Sequence, residues 1–238
     1  MMLGIMQPYF FPYVGHFELI HLSDAWIVFD VVKYQPKSWM NRNRVLHPKA
    51  GWQYVSAPVE KRGESGLIRD VRLVDPAAAL ARIIGQIDHY RLRRAPFFEE
   101  VRALIERAFA RATSPGLTEV NVACLAEVCA YLGISFRPRV LSEMGLEIPS
   151  IDHAGQWALE ISHLVGAATY INAPGGRGIF RPEEYAARGI ELLFLVPRAM
   201  RYATPGYEFV ESLSIIDVMM WNAPAAIREH LEGALLSP

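Results

Sequence analysis

Short apolar runs alternate along this chain with stretches in which apolar residues recur at helical spacing, and this alternation constrains the fold most. Met2 to Met6 and Trp26 to Val31 have the length of buried strands, whereas Val14 to Leu22 has the spacing of a helix. Strands that alternate with helices are typical of α/β proteins, in which helical crossovers connect the strands. We therefore predict an α/β fold with a mixed or mostly parallel sheet, helical crossovers and a helical subdomain inserted near the middle.

Three helical stretches follow one another in the middle of the chain: Pro76 to Leu92, Pro96 to Ala112 and Leu117 to Leu132. Asp75 is placed to cap the first of them, and Gly133 is placed to end the last. Runs of strand length return after Gly133. We therefore expect a single domain, with a sheet-based unit at residues 1–75 and 135–238 and a helical insert at residues 76–134.

The same pattern assigns the rest of the chain. The segment from Lys33 to Pro48 is polar, aromatic and interrupted by prolines, which predicts an ordered loop or a short hairpin. Residues 61–66 join two of the predicted strands. The further predicted strands are Trp52 to Val59, Leu67 to Val74, Ser135 to Leu141, Ala168 to Asn172 and Gly189 to Val196, and the further predicted helices are His153 to Val165 and Pro182 to Arg188.

Charge and hydropathy exclude several classes of partner. The 24 Lys and Arg residues balance 25 Asp and Glu residues, so we expect no general attraction to nucleic acid. No apolar run reaches membrane-spanning length and no secretory signal opens the chain, so we expect no membrane span and a cytoplasmic location. Cys124 and Cys129 lie on one predicted helix and point in different directions, so we expect both to be reduced core residues.

The first stretch that suggests chemistry connects the first strand with the first helix. At such a junction in an α/β sheet, free backbone N–H groups and the helix dipole favour an anion such as phosphate. We therefore expect a ligand site here, with Gln7 and Tyr9 in contact with substrate. The stretch reads Gln7-Pro8-Tyr9-Phe10-Phe11-Pro12-Tyr13-Val14-Gly15-His16-Phe17-Glu18-Leu19-Ile20.

The second stretch is a polar, donor-rich segment that follows Asp30 and Gln35, predicted as a loop: Trp39-Met40-Asn41-Arg42-Asn43-Arg44. Two arginines offer planar forks for phosphate or carboxylate, and two asparagines offer donors and acceptors for sugar or amide groups. A solvated turn is the alternative, but the flanking tryptophan and the preceding aspartate favour a binding loop. We expect one pocket to be lined by Gln7, Tyr9, Asp30, Asn41, Arg42 and Asn43. Gln35, Trp39 and Arg44 are further candidates for substrate binding.

Taken in order, these strings resemble the WbqC-like protein family of bacteria, and the resemblance covers nearly the whole chain. Its members look linked to gene sets for O-antigen, lipopolysaccharide and related surface sugars, and the resemblance implies amino-sugar N-acyl or aminoacyl transfer. The chain differs from the family pattern at His16, where an aromatic residue is common. The matching residues are Ile5-Met6-Gln7-Pro8-Tyr9-Phe10-Phe11-Pro12-Tyr13, Asp24, Asp30, Gln35, Trp39, Asn41-Arg42-Asn43, Tyr90, Ala95-Pro96-Phe97-Phe98 and Leu213-Ser214-Ile215-Ile216-Asp217.

A transferase of this class needs a base for the acceptor amine, donors for the tetrahedral oxyanion and a pocket for an anionic substrate group. The candidates for the base are His16 or His89, with Asp24 or Asp30. Asn41 and Asn43 are the candidate oxyanion donors, and Arg42, Arg44 and Arg177 are the candidates for the anion pocket. The implied substrate is a nucleotide-linked sugar or an amino sugar, with an acyl thioester donor and an acyl carrier as partner. We predict no tightly bound cofactor and no metal ligands.

Two other functions stay open from the sequence. Phe11 to Ile20 is similar to the first signature of nucleotidylyltransferases, which use ATP and Mg²⁺, and that reading would centre on His16 although Tyr13 replaces one polar residue of the signature. A non-catalytic scaffold of the polysaccharide machinery is the third reading.

Several candidate residues also have purely structural readings. His89 ends a predicted helix, where the dipole alone favours it, and Gly175 to Gly178 can be a simple tight turn. Ser214 can act as the N-cap of a helix that begins at Ile215, which requires no function.

Overall fold

The computed structural model describes residues 1–60 and 66–238 and has the predicted α/β fold. Most of the predicted connection through residues 61–66 lies outside the described residues. The strands are β1 (Met2–Met6), β2 (Ala25–Val28), β3 (Arg42–Leu46), β4 (Trp52–Ser56), β5 (Pro138–Val140), β6 (Thr169–Asn172), β7 (Glu191–Leu195) and β8 (Leu236–Ser237). The α-helices are α1 (Val14–Leu22), α2 (Pro76–Leu92), α3 (Phe98–Arg111), α4 (Leu117–Leu132), α5 (Gln156–Leu164), α6 (Pro182–Ala187), α7 (Ile215–Trp221) and α8 (Pro224–Glu232).

The main sheet has the strand order β5-β2-β1-β6-β7-β8. All neighbouring pairs are parallel except β7 with β8, and this confirms the mostly parallel sheet. The chain moves outward from β1 to β2 and β5, and it then crosses back over β1 to form β6 and β7 on the other side. The order of the strands therefore reverses between β1 and β6, which is where ligands bind in doubly wound sheets.

The two faces of the sheet pack against different helices. Leu3 and Ile5 of β1 belong to one hydrophobic cluster, which also contains residues of α5 and α6. Trp26 and Val28 of β2 belong to the other, larger cluster, which contains residues of α1 to α4, α7 and α8. Alternate residues of a strand point to opposite faces, so the short apolar runs of this chain are strands that are covered on both sides.

The helices in the middle of the chain follow the sequence closely. Helix α2 begins after Asp75, whose carboxylate accepts a hydrogen bond from the backbone N–H of Ala78 at 3.0 Å. Helix α4 ends at Gly133, which has a φ of 68° in the left-handed region, so glycine is the favoured residue there. Helices α2 to α4 share the larger cluster with α1, α7 and α8. The division into a sheet-based unit and a helical insert remains a prediction.

The predicted strand from Leu67 to Val74 is wrong. The chain forms a 3₁₀ turn at Ile68–Asp70 with isolated bridges on either side of it. Ile68 and Val71 are both buried, and their spacing of three residues suits a 3₁₀ turn and not the period of two that a strand requires. The segment therefore makes isolated backbone bridges and does not form a continuous strand.

The segment from Lys33 to Pro48 was predicted as an ordered loop or a short hairpin, and the loop alternative is wrong for Arg42, Asn43 and Arg44, because these residues belong to β3. Strand β3 pairs with β4 as an antiparallel hairpin. The period of two places the arginines on one face of this hairpin and Asn43 on the other, where Asn43 is buried. Neither α8 nor β8 was predicted from the sequence, and β8 has only two residues, which pair with β7.

Candidate functional site

The loop from Gln7 to Tyr13 leaves the carboxyl end of β1 and leads into α1. Buried side chains from distant parts of the chain bind its carbonyl groups. The Nδ2 of Asn121, on α4, donates hydrogen bonds to the carbonyls of Pro8 at 2.6 Å and Met40 at 2.7 Å. These bonds fix the loop against the segment that precedes β3.

Phe11 occupies the strained centre of this loop, with a φ of 38° that is unusual for a residue other than glycine. The Nδ2 of Asn43 donates to the carbonyls of Phe10 at 3.1 Å and Phe11 at 2.9 Å, and the Oγ of Ser214 donates to Phe11 at 2.6 Å. Strain of this kind persists when surrounding bonds over-determine the conformation. Two residues of the family-like strings, Asn43 and Ser214, therefore hold the shape of the loop.

Three adjoining cavities open along this loop, and together we call them the Tyr13 groove. The strand-end cavity has a volume of about 420 Å³ and lies between the carboxyl ends of β1 and β6, with Gln7, Tyr9, His16 and Asn172 in its wall. It thus occupies the place where the order of the strands reverses. Phe29 and Trp157 add aromatic surface to the same wall.

The arginine cavity has a volume of about 320 Å³, shares Tyr9, Tyr13 and Trp39 with the strand-end cavity, and adds Asn43 and Arg44. The third cavity, which we call the outer cavity, also measures about 320 Å³. It is lined by residues that include Tyr13, Glu18, Arg198, Tyr202, Glu211 and Ser212. Tyr13 contributes to all three cavities.

Tyr13 and Tyr9 both present neutral phenol groups. Burial raises the pKa of Tyr13, and the Glu18 carboxylate and Tyr9 raise it further. Burial alone raises the pKa of Tyr9. Tyr13 packs directly on Gly15, where an added Cβ would lie 2.4 Å from the Tyr13 ring. Both hydroxyls therefore keep their protons at neutral pH, and they can donate hydrogen bonds to a ligand.

His16 lines the strand-end cavity within a cluster of aromatic rings. Its ring centre lies 5.7 Å from that of Tyr9, 6.2 Å from that of Phe17 and 5.2 Å from that of Trp26. Both ring nitrogens are buried without a hydrogen-bond partner among the described residues. Burial lowers the pKa of His16 to about 3, so the imidazole is uncharged at neutral pH. It is oriented by neither Asp24 nor Asp30.

The glycine-rich turn after β6 also reaches the groove. Gly175 and Gly176 line the strand-end cavity, within a 3₁₀ turn at Pro174–Ile179. Arg177 does not join them in the lining. Its guanidinium donates to the carbonyl of Pro238 at 2.5 Å and lies 4.4 Å from the Phe194 ring. The backbone of this turn can therefore approach a ligand, whereas Arg177 holds the end of β8.

The polar residues around β3 divide into two groups. Asn43 and Arg44 line the arginine cavity together with Trp39. Asn41 instead accepts from the Tyr34 hydroxyl at 2.9 Å and donates to the carbonyl of Ala57 at 3.1 Å. Arg42 lies 4.0 Å from the Tyr54 ring and donates to the carbonyl of Lys37. Asn41 and Arg42 are not among the lining residues of the groove.

The catalytic candidates Asp24 and Asp30 and the substrate-binding candidate Gln35 are not brought to the groove. Asp24 is exposed and accepts a hydrogen bond from the backbone N–H of Met2 at 2.7 Å, at the amino-terminal edge of the sheet. Asp30 is buried, and its carboxylate accepts from the N–H of Ser142 at 3.1 Å and from its hydroxyl at 2.6 Å. Gln35 is exposed and does not line the groove.

His89 also lies away from the groove. Its Nδ1 is 2.7 Å from the Tyr207 hydroxyl, and its ring stacks on Tyr90 with 4.3 Å between the ring centres. Burial is the main reason why the pKa of His89 is lowered to about 4. Of the six residues expected to share one pocket, the structure brings Gln7, Tyr9 and Asn43 to the groove.

Asp217 forms a buried polar network behind the outer cavity. Its carboxylate accepts hydrogen bonds from the hydroxyls of Tyr90 and Tyr202, the latter at 2.6 Å. Tyr90 accepts in turn from the backbone N–H of Leu46 at 2.9 Å, which ties α7 to β3. Burial raises the pKa of Asp217 to about 6, although the two tyrosines oppose the shift. Tyr202 carries this network to the groove, since it lines the outer cavity.

Sequence reasoning missed several residues that shape the site. Tyr13 and Asn172 line the groove, and Asn121 and Ser214 hold its loop. Tyr13 lay within the first polar-aromatic stretch and could have been singled out as a second phenol beside Tyr9. Asn121 carries no comparable signal, because a single asparagine within an amphipathic helix looks like any polar residue of its exposed face.

Three further features concern the described part of the chain. No group of three or more His, Cys, Asp or Glu side chains within it is arranged to hold a metal ion. None of its helices is long and apolar enough to cross a membrane. Both cysteines are free and buried, and burial raises the pKa of each thiol.

Comparison with known proteins identifies relatives of the whole chain. The profile of the WbqC-like protein family matches residues 7–229. A Mycobacterium tuberculosis protein that bears the name "Uncharacterized protein Rv1507c" is 23% identical over 229 residues, which cover 96% of this chain and 96% of that protein. No solved structure matches the chain.

Proposed function

Because this chain belongs to the WbqC-like protein family, we propose that it is an enzyme of bacterial surface-polysaccharide or amino-sugar biosynthesis. The proposed reaction is the transfer of an acyl or aminoacyl group to the amino group of a sugar-bearing small molecule. The observation that carries the proposal is the Tyr13 groove, which lies where the strand order reverses and which combines aromatic rings with amide side chains. Rings pack against sugar faces, and amides bind hydroxyl groups.

In the proposed chemistry, the groove positions the amine against the acyl carbonyl and stabilises the negative charge that develops on the carbonyl oxygen. The amine nitrogen attacks the carbonyl carbon of an acyl thioester, the C–S bond breaks, the thiolate leaves and the amine gives up one proton to the solvent or the thiolate. An amine of ordinary pKa near 8 is partly neutral at physiological pH, so holding it against the carbonyl accounts for much of the rate. Gln7 has no side-chain hydrogen-bond partner among the described residues and is placed to bind the acceptor.

The tetrahedral intermediate carries an oxyanion, which requires hydrogen-bond donors that are already in place. Tyr13 supplies such a donor, because its hydroxyl is protonated and its ring lines all three cavities. This assignment replaces Asn41, whose side chain already bonds within the protein. His16 serves as a neutral part of the wall in this proposal, since its environment is aromatic and its nitrogens are enclosed.

The experiment that tests the proposal is an assay for the acylated product. The purified protein is incubated with an acyl thioester and a uridine-diphosphate-linked amino sugar, and mass spectrometry follows the mass of the sugar. We expect an increase that equals the acyl group and that depends on both substrates. If no panel of thioesters and amino sugars yields such a product, and no small molecule co-purifies with the protein, the scaffold reading is the better one.

Nucleotidyl transfer is the second candidate function, because His16 lines the groove at the start of α1 as that reading requires. The uncharged state of His16 weakens it, since charge stabilisation at a phosphate is strongest from an imidazolium. His16→Phe separates the two functions. Acyl transfer predicts a folded variant that keeps most of its turnover, whereas nucleotidyl transfer predicts a loss on the order of a hundredfold or more. Tyr13→Phe is the positive control for loss of activity.

A further inference from the structure

Arg44 differs from the other two arginines that the sequence offered for an anion pocket, because it alone of the three lines the groove. Its guanidinium carbon lies 5.6 Å from the centre of the Trp39 ring and 5.2 Å from that of the Trp52 ring. The register of the hairpin pairs Arg44 with Tyr54 and Leu46 with Trp52, so Arg44 and Trp52 are diagonal neighbours on one face. Two rings therefore hold the guanidinium in place before a ligand arrives.

The charge of Arg44 is not balanced within its cavity. Arg44 is the one charged residue among those of the described chain that line the arginine cavity. Its Nη2 donates to the carbonyl of Ser212 at 3.1 Å, and its Nε is buried without a hydrogen-bond partner among the described residues. A planar guanidinium that lines a cavity and is held by two rings suits a phosphate oxygen, which forms charge-assisted hydrogen bonds with it. An anion is thus the ligand that this cavity fits.

Exposed aromatic surface adjoins the cationic cavity. Trp39 and Trp52 are each 42% exposed, which is a large fraction for tryptophan side chains. The Trp52 ring also contacts Tyr54, with 4.9 Å between the ring centres, so the hairpin carries a continuous aromatic face. Nucleobases stack on such rings with little dependence on the base. A phosphate site and a stacking surface therefore occur side by side.

We propose that the arginine cavity binds a nucleoside diphosphate group, with the diphosphate at Arg44 and the base on the exposed rings of Trp39, which precedes β3, and Trp52, which begins β4. This inference rests on the proposed function and extends it to the part of the substrate that does not react. Two substrates of that reaction contain the group: a nucleotide-linked sugar, which is the acceptor, and a coenzyme A thioester, which is the donor. Trp39 lines both the arginine cavity and the strand-end cavity, so the reacting end of either substrate reaches Tyr13.

The test uses isothermal titration with uridine diphosphate, adenosine diphosphate and uridine. At least one diphosphate is expected to bind the wild-type protein, and Arg44→Gln is expected to weaken it by about tenfold or more. Binding of uridine should be unchanged by that substitution, since uridine carries no phosphate. Arg42→Gln is the matched control, because Arg42 stacks on the same hairpin outside the groove and should leave diphosphate binding unchanged. Tighter binding of uridine diphosphate assigns the site to the acceptor, and tighter binding of adenosine diphosphate assigns it to the donor.

Two further variants, Arg44→Lys and Trp52→Leu, test whether Arg44 acts by binding the diphosphate or only through its structural contact with the Ser212 carbonyl. The lysine variant keeps the charge but loses the fork, so its affinity for the diphosphate should fall between those of wild type and Arg44→Gln. Trp52→Leu should weaken binding of uridine diphosphate more than binding of inorganic pyrophosphate, because it removes the stacking surface for the base as well as one of the two rings beside Arg44. The inference is overturned if wild type binds neither diphosphate at millimolar concentration, or if Arg44→Gln binds both as wild type does. Acyl transfer observed together with either of those results would leave the proposed function intact, and diphosphate binding without acyl transfer would leave this inference intact.

Discussion

Tyr13 is the side chain on which the proposed chemistry depends. Its ring packs against Gly15, its hydroxyl is a neutral donor, and the residue lines all three cavities. A donor that is in place before the reaction does not have to reorganise as charge develops, which is why such groups lower the barrier. The argument for Tyr13 is thus one of geometry and protonation state, and both can be tested by removing a single oxygen atom.

Tyr13→Phe is expected to lower kcat on the order of a hundredfold while KM changes little, because the oxyanion exists only in the transition state. The steady-state rate of product formation provides the measurement. Tyr131→Phe is the control, since Tyr131 lies on α4 outside the groove. Equal turnover in Tyr13→Phe and wild type would remove the oxyanion role from this residue.

Asp217 makes stability depend on pH. Its pKa is raised from 3.8 to about 6 by burial, so the folded protein holds this proton more tightly than the unfolded chain does. Its contribution to the free energy of unfolding is therefore largest below about pH 4, falls between pH 4 and pH 6 and is constant above that range. The size of this fall is no more than about 3 kcal/mol.

Asp217→Asn should remove that fall, because the amide occupies the same space and does not titrate. Urea unfolding of both proteins at pH 4.5 and at pH 7 measures the effect, and other titrating groups cancel when the two pH dependences are subtracted. A wild-type protein that loses no stability relative to Asp217→Asn over this range would show that the carboxylate is ionised throughout.

At the scale of elements, the β3–β4 hairpin and the loop after β1 depend on one another. The loop alternative for Arg42 to Arg44 was wrong because polar residues can form a strand when aromatic residues of the paired strand pack against them, as Trp52 and Tyr54 of β4 do here. The sequence did identify these residues as unusual. It could not show that Asn43 points towards the loop after β1 while Arg44 points towards the tryptophan rings. Strand β3 has only five residues, and an alternation of period two over so short a segment does not identify which face is buried.

Asn43→Ala is expected to destabilise the protein by about 2–3 kcal/mol, because it removes both donors to the carbonyls of Phe10 and Phe11 from a buried site. The loss should appear in the free energy of unfolding and also in ligand affinity, since the loop forms one wall of the groove. Gln35→Ala removes an exposed amide and should change stability by less than about 0.5 kcal/mol. Identical unfolding curves for the two variants would contradict the supporting role of Asn43.

At the scale of the whole molecule, the sequence predicted the fold better than the site. The periodic patterns located α1, α2 and α4 at their observed bounds, because each apolar stripe packs against one large core. The candidate site was predicted in part, since Gln7, Tyr9 and Arg44 do meet in the groove. The catalytic candidates did not meet: Asp30 bonds to Ser142, a contact between residues far apart in sequence that no local pattern reveals.

A crystal structure of the protein grown with a uridine-diphosphate-linked amino sugar tests the central claim most directly. The claim is that the Tyr13 groove, at the reversal of the strand order, is the substrate site. We predict that the sugar lies in the strand-end cavity beside Tyr13 and that the diphosphate lies at Arg44. Substrate bound at the opposite edge of the sheet beside Asp24, or beside His89 and Tyr207, with the groove empty, would contradict it.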